Sequence, residues 1–130
     1  MSSDSAMRLL AKRFFDAVER GDIATVRDCY APGARIWHNT DDAEQGPDEN
    51  AAVLTGFVER IPNRVYANRR LEVFDGGFVQ QHELQGERRD GVKVRLTACI
   101  VCKVEDGKIT RLDEYFDSAQ VATFRELAAA

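Results

Sequence analysis

The sequence predicts an α+β fold, with helices packed on one face of a curved, mostly antiparallel sheet. Up to about residue 61, apolar side chains recur at helical spacing in three segments. Residues 64 to 117 then alternate in four segments, joined by the turn sequences DGG, RDGV and EDGK, which are hairpin signals. A length of 130 residues fits one core, so we expect a single domain over residues 1–130.

The three predicted N-terminal helices have clear start and stop signals. The first ends near Arg20, the second is short, and the third ends near Arg60. The segment ARIWHN, residues 34 to 39, is expected to be a short strand, and residues 118 to 130 a final short helix. The predicted N-caps are Ser5, Asp22 and Asp48, and the predicted stops are Gly21, Pro32 and Pro62.

Composition narrows the possible partners. A net charge of −4 and a pI of about 5.2 argue against nucleic acid as a partner. A local basic cluster, whose members are Arg60, Arg64, Arg69 and Arg70, is interpreted as a solvated face in preference to an anion site. No segment is apolar enough to span a membrane, and the N-terminus lacks the apolar core of a signal peptide.

Cysteine and histidine usage predicts a cytoplasmic protein without a metal or other cofactor. Three cysteines, an odd number, fit a reduced protein better than a disulfide framework. Cys99 and Cys102 are expected on one strand, where positions three apart face opposite ways. The two histidines, His38 and His82, are too far apart for a zinc motif, and no glycine-rich phosphate loop is present.

The segment LDEYFD, residues 112 to 117, contains the first candidate for catalysis. As a strand it places Leu112, Glu114 and Phe116 on one face. Glu114 is the only charged residue among these three. An unpaired buried carboxylate is costly, so Glu114 indicates either a water-holding cavity or a structural pairing at the rim.

Turn chemistry predicts which residues lie beside Glu114. A two-residue turn in RDGV pairs Glu83 with Ala98, and a longer EDGK turn with a glycine bulge pairs Ala98 with Glu114. The two glutamates then form one row and share a site, with Gln81 nearby and His82 facing outward. A two-residue EDGK turn would instead move Glu114 to the other face.

Two stretches, FFDAVERGDIATVRDCYAPGARIWHN and EDGKITRLDEYFD, resemble the SnoaL-like branch of the nuclear transport factor 2-like superfamily. The resemblance covers nearly the whole chain. It implies a cone-shaped α+β barrel, in which three N-terminal helices and the sheet enclose a pocket. It also implies that the outer sheet face forms a homodimer interface, and we expect Arg95, Thr97, Cys99 and Val101 in that interface.

Within this superfamily, the resemblance to limonene-1,2-epoxide hydrolase implies specific site positions. Glu83 and Glu114 match its two aspartates, Gln81 its arginine, and Asn39 its asparagine, while Trp37 stands at its tyrosine. The missing arginine and the longer acids argue against epoxide hydrolysis itself. If the chain resembles scytalone dehydratase, His38 and His82 are the implied site residues. If it resembles the SnoaL-type cyclases, the implied acid–base residue is Glu114 or Asp117. Ketosteroid isomerase is a poorer match.

The sequence therefore favours a cofactor-independent acid–base enzyme acting on a small hydrophobic or amphipathic ligand. Hydrolysis by an activated water, isomerisation, cyclisation and elimination all remain open. The alternative is a non-catalytic binding or assembly module. Glu83 and Glu114 are the predicted acid–base pair, and Asn39 and Gln81 are expected to orient water or substrate. The predicted pocket lining, which also suits ordinary core packing, consists of Phe14, Trp37, His38, Phe57, Leu96, Ala98 and Phe116.

Overall fold

The computed structural model describes the backbone of residues 3–129 and the side chains of residues 3–123, and it confirms the predicted α+β class. The predicted final helix corresponds to the last helix below, and its residue 130 lies outside the described residues. The elements in chain order are α1 Asp4–Arg20, α2 Ile23–Cys29, β1 Tyr30–His38, β2 Glu44–Gln45, α3 Pro47–Arg60, β3 Val65–Phe74, β4 Gly77–Glu87, β5 Lys93–Glu105, β6 Lys108–Phe116 and α4 Ser118–Ala129.

The six strands form one curved, open sheet in the order β2-β1-β6-β5-β4-β3. Strands β3 to β6 form the predicted meander, and β1 joins it by parallel pairing with β6. The parallel pairing brings the end of β1 beside the end of β6, so residues far apart in sequence meet there. No helix within the described residues is long and apolar enough to cross a membrane.

Two predicted N-caps are wrong by two residues. Ser3, not Ser5, caps α1 by accepting a hydrogen bond from the Ala6 amide at 3.1 Å. Gly46, not Asp48, precedes α3, because Pro47 occupies the first helical position, where its missing N–H costs nothing. The cap at Asp22 and the stop at Gly21 are confirmed.

The core lies between the helices and the inner face of the sheet, in two clusters. The larger cluster joins the buried stripe of α1, including Phe14 and Phe15, to Ile36 and Phe78. The smaller one contains Ile61, Leu84, Val94, Leu96 and Val121, with Phe57 and Phe116 packed against it.

The first hairpin has a different register from the predicted one. Its loop has three residues, since the Arg88 amide donates to the Val92 carbonyl at 2.9 Å and Gly91 adopts a φ of 87°. One extra loop residue shifts the strand by one position, and Glu83 lies opposite Thr97 instead of Ala98. A shift of one residue exchanges the two faces of a strand, so every face assignment in β4 is reversed.

The second hairpin keeps the predicted face by a different route. Asp106 and Gly107 form a two-residue turn, with φ of 50° and 75°, where we predicted a longer loop. A bulge then places one unpaired residue in β6, between the pairs Val104–Ile109 and Lys103–Arg111. The shorter turn and the bulge each shift the register of β6 by one residue, and together they leave its side chains on the predicted faces. Glu114 therefore faces inward as predicted, but lies opposite Ile100 instead of Ala98.

Candidate functional site

A pocket of about 240 Å³ opens between α3 and the inner face of the sheet. A deeper space of about 50 Å³ continues beneath α1. Four residues border both spaces: His38, Leu54, Tyr66 and Glu114. These four side chains form the waist of the cavity, so a ligand entering the pocket meets them at its inner end.

His38 and Glu114 form a polar pair at the waist. They are direct neighbours across the parallel β1–β6 pairing, and His38 Nε2 lies 3.2 Å from Glu114 Oε1. Their side chains are 16% and 18% exposed, so both reach the cavity while bulk water is largely excluded. The His38 ring also stacks on Phe116, with centroids 5.7 Å apart. An imidazole held by a carboxylate is a common acid–base arrangement.

Two tyrosines face the same carboxylate. Burial raises the pKa of Tyr66 and of Tyr30 well above the ordinary tyrosine value, and the negative charge of Glu114 adds to both effects. Both hydroxyls therefore stay protonated and can donate hydrogen bonds. Tyr30 Oη lies 3.4 Å from Asn50 Oδ1 in the deep space. Tyr66 borders the pocket, where its hydroxyl can donate to a ligand oxygen.

His82 lies behind Tyr66 on the inner face, contrary to the predicted outward orientation. The shifted first hairpin explains the difference, because it exchanges the faces of β4. The side chain is 4% exposed and packs between the rings of Phe15 and Tyr66, at centroid distances of 5.4 and 4.8 Å. Its Nδ1 lies 3.1 Å from Gln80 Nε2. Burial lowers the pKa of His82, which keeps the imidazole neutral.

The predicted pairing of Glu83 with Glu114 is wrong. Glu83 and Gln81 pair with Thr97 and Cys99, on the outer face of the sheet. Glu83 Oε1 there accepts a hydrogen bond from Gln85 Nε2 at 3.1 Å. The two carboxylates therefore lie on opposite sides of the sheet and share no site.

Two other predicted site residues also lie away from the pocket. Trp37 turns to the outer face, where Nε1 donates to Asp42 Oδ1 at 2.7 Å and the ring packs against Tyr115. Asn39 holds the end of β1 to β6, because its Nδ2 and Oδ1 both bond the backbone of Phe116, each at 3.1 Å. We assign Asn39 a structural role, and its predicted water-orienting role is not supported by these contacts.

The remaining predicted lining residues lie on the inner side. Phe14 borders the deep space, and Ala98 is buried on the inner face of β5. The sequence interpretation missed Tyr66, Tyr30, Asn50 and the inward position of His82. One signal was available, since Gln80 and His82 are spaced two apart and must share one face of β4. Of the predicted lining residues, those that border the wider pocket are His38, Phe57, Leu96 and Phe116.

No group of three or more potential metal-ligating side chains occurs within the part of the chain that the structure describes. His38 and Glu114 alone would give two ligands, and His82 is turned toward Gln80 behind the Tyr66 ring.

Comparison with known proteins agrees with this architecture. The model of the SnoaL-like domain family matches residues 11–112. An uncharacterized protein of Mycobacterium tuberculosis is 28% identical over 134 residues, covering 94% of this chain and 98% of its own length. Among solved structures, an epoxide hydrolase from M. tuberculosis that resembles limonene-epoxide hydrolase has a TM-score of 0.74 and 21% identity, covering 95% of this chain and 92% of its own.

A second solved structure extends the comparison. A candidate SnoaL-like polyketide cyclase from Shewanella putrefaciens has a TM-score of 0.80 and 12% identity, covering 97% of this chain and 88% of its own. At these identities the solved structures show the fold alone. The fold is thus the cone-shaped fold of the nuclear transport factor 2-like superfamily. Within it, the chain belongs to the SnoaL-like domain family, as the resemblance in the sequence implied.

Proposed function

We propose that this chain is an enzyme that transfers a proton on a small, mostly apolar molecule held in the inner pocket. The observation that supports the proposal best is the His38–Glu114 pair, whose atoms lie 3.2 Å apart at the waist of an otherwise largely apolar cavity. This replaces the predicted pair of glutamates by one glutamate and one histidine. The proposal keeps Glu114 as the central acid–base group.

In the proposed mechanism Glu114 is the general base. Its carboxylate takes a proton from the substrate, or from a water that attacks the substrate, and later returns a proton to the product. His38 holds the carboxylate through Nε2 and acts as a positioning residue. Tyr66, which stays protonated, donates a hydrogen bond to the oxygen on which negative charge develops. No step requires a metal or an organic cofactor, so we expect activity to survive chelation and dialysis.

The pocket limits the substrate. A volume of about 240 Å³ is below the ~300–1,000 Å³ of typical small-molecule sites. Leu54, Phe57, Leu84 and Leu96 supply apolar walls. A compact apolar body is therefore preferred. The structural neighbours named as an epoxide hydrolase and a candidate polyketide cyclase support testing water-activated ring opening and carbon-acid chemistry first.

The first prediction tests this mechanism. Glu114→Gln removes the proposed base but keeps its shape, and we expect turnover to fall roughly 10²- to 10⁴-fold. His38→Gln removes the group that holds the base and should lower kcat more than it raises KM. Asp113→Asn is the matched control, because Asp113 lies next to Glu114 on the same strand but pairs with Arg111 outside the pocket. The measurement is steady-state kinetics on epoxides, enolisable ketones and polyketide-like esters.

Two results would contradict the mechanism. Full activity in Glu114→Gln would remove the proposed base. Ligand binding in the pocket, without turnover of any compound in the panel, would favour the binding-module alternative.

We also propose that a second copy of the chain covers the outer face of the sheet. The support is a groove of about 580 Å³ there, formed in part by Gln81, Glu83, Cys99 and Tyr115. Such a mixed apolar and polar surface is typical of protein interfaces.

A further inference from the structure

One cation on the pocket wall lacks an acidic partner. Arg60, the last residue of α3, borders the pocket. Its Nε atom is buried and has no hydrogen-bond partner, and among the described residues no carboxylate forms an ion pair with it. A buried cationic donor without a partner is unfavourable. The position therefore suits the negative group of a ligand.

The sequence of α3 makes room for this side chain. A Cβ atom built on Gly56 would lie 3.2 Å from Arg60 Nη1, so the guanidinium lies back along the helix against the glycine. Glycine is otherwise a poor residue in the middle of a helix. Val53 and Phe57 precede Arg60 by seven and three residues and also border the pocket. The spacing places all three on one face of α3, so Arg60 and the apolar wall are presented together.

A second unpaired donor lies on the same pocket. The buried Oγ1 of Thr40 has no hydrogen-bond partner, and Thr40 borders the cavity two residues after His38. A hydroxyl can donate to a carboxylate oxygen. Arg60 and Thr40 thus leave two unused donors on a cavity whose other walls are mainly apolar.

The other three arginines of the basic cluster lie elsewhere and make other contacts. Arg64 donates to the backbone carbonyls of Glu19 and Ile61, both at 2.8 Å. Arg69 is paired with Asp16 and Glu19, and Arg70 is exposed on the outer side of the sheet. The basic cluster in the sequence is therefore not one solvated face, because Arg60 alone among its four members borders the inner pocket.

We infer that the ligand of this pocket is an amphipathic monocarboxylate, bound through its carboxylate by Arg60 and Thr40. This rests on the proposed function and specifies its substrate class. An arginine and a carboxylate can form two parallel charge-assisted hydrogen bonds. The apolar body then lies along Phe57 and Leu96 and directs its other end toward Glu114.

The charges around the pocket select both the ligand and its orientation. Asp41 and Glu114 border the cavity as acids, and the other titratable groups on it besides Arg60 are His38 and Tyr66. A single guanidinium against two carboxylates favours a monoanion over a phosphate dianion. Glu114 repels a carboxylate at the waist, so a ligand entering the opposite way round is rejected.

Binding measurements test the inference without requiring turnover. The probes are straight-chain alkanoates from butanoate to decanoate and the matching alkanamides, titrated by NMR or calorimetry. We expect the best alkanoate to bind at least tenfold tighter than its amide. Arg60→Gln should abolish that preference, and Thr40→Val should reduce it. Arg70→Gln removes an arginine from the outer face and should leave the preference unchanged.

The outcomes separate this inference from the catalytic proposal. Equal affinity for acids and amides, a preference that survives Arg60→Gln, or no binding of any alkanoate would each overturn it. Glu114→Gln removes a repelling charge and should bind alkanoates at least as tightly as the wild type. Turnover that is insensitive to Glu114→Gln, together with an intact carboxylate preference, would remove the mechanism and keep the monocarboxylate ligand.

Discussion

At the scale of single residues, the sequence identified Glu114 but misplaced its partner. Glu114 was detectable because one acid among inward-facing apolar residues is unusual, and that signal depends only on alternation along a strand. Its contact with His38 depends on the parallel β1–β6 pairing. No local sequence pattern reports a pairing between residues that are at least 76 positions apart in the chain. The carboxylate was therefore predictable and the dyad was not.

His82 gives a prediction about pH at the same scale. Burial lowers the folded-state pKa below the ordinary value of 6.5, so between the two values the unfolded chain binds more protons than the folded one. The contribution of His82 to stability is therefore fully present above about pH 6.5 and is lost as the pH drops below it, by at most about 1.4 kcal/mol per unit. His82→Gln should flatten this dependence, as measured by urea unfolding between pH 7.5 and 5.

The matched control is Gln81→Glu, which alters charge on the outer face of the same strand and leaves the imidazole in place. An unchanged pH slope in His82→Gln would show that His82 does not titrate differently in the folded and unfolded chains.

At the scale of elements, strands and hairpins were predictable, while loop lengths were not. All three DG turns lie where the sequence indicated, and all four strands of the meander are present. The RDGV loop has three residues instead of two, and the EDGK turn has a bulge two residues later. A glycine in the left-handed region suits both loop types. A difference of one residue in loop length moves every side chain of the following strand pairing to the other face of the sheet. Glu83 and His82 were therefore assigned to the wrong faces.

Gly91 tests how much the backbone conformation of that first loop contributes to the free energy of unfolding. Its φ of 87° is unfavourable for a side chain, although a Cβ there would meet nothing within 4 Å. Gly91→Ala should therefore cost about 1 kcal/mol of unfolding free energy through the backbone alone. Gly91→Asn should cost less, since asparagine tolerates this conformation better. Chemical denaturation measures both, and an equal cost for both variants would contradict the backbone explanation.

At the scale of the whole molecule, the fold was predictable because helix caps, hairpin turns and periodicity all point to the same architecture. The pocket was implied by resemblance, but its contents depend on how α1 and α3 sit over the sheet. Tyr66 and Arg60 illustrate this dependence. Each is an ordinary residue of its strand or helix, and each meets the cavity only because distant elements close around it.

The proposed homodimer gives the prediction for the assembled molecule. The outer face presents Tyr115, which is 46% exposed, and Cys99 lies between Gln81 and Tyr115 on the central strand β5. A stable interface removes about 800 Å² per partner from water, and a large cation at its centre would be desolvated without a partner. Wild-type protein should sediment as a dimer at micromolar concentration, and Cys99→Arg should sediment as a monomer with unchanged circular dichroism. Leu9→Arg is the control, because Leu9 is 68% exposed on α1, away from the sheet, and it should remain dimeric. A monomeric wild type, or a Cys99→Arg variant that still forms the dimer, would show that the outer face is not the interface.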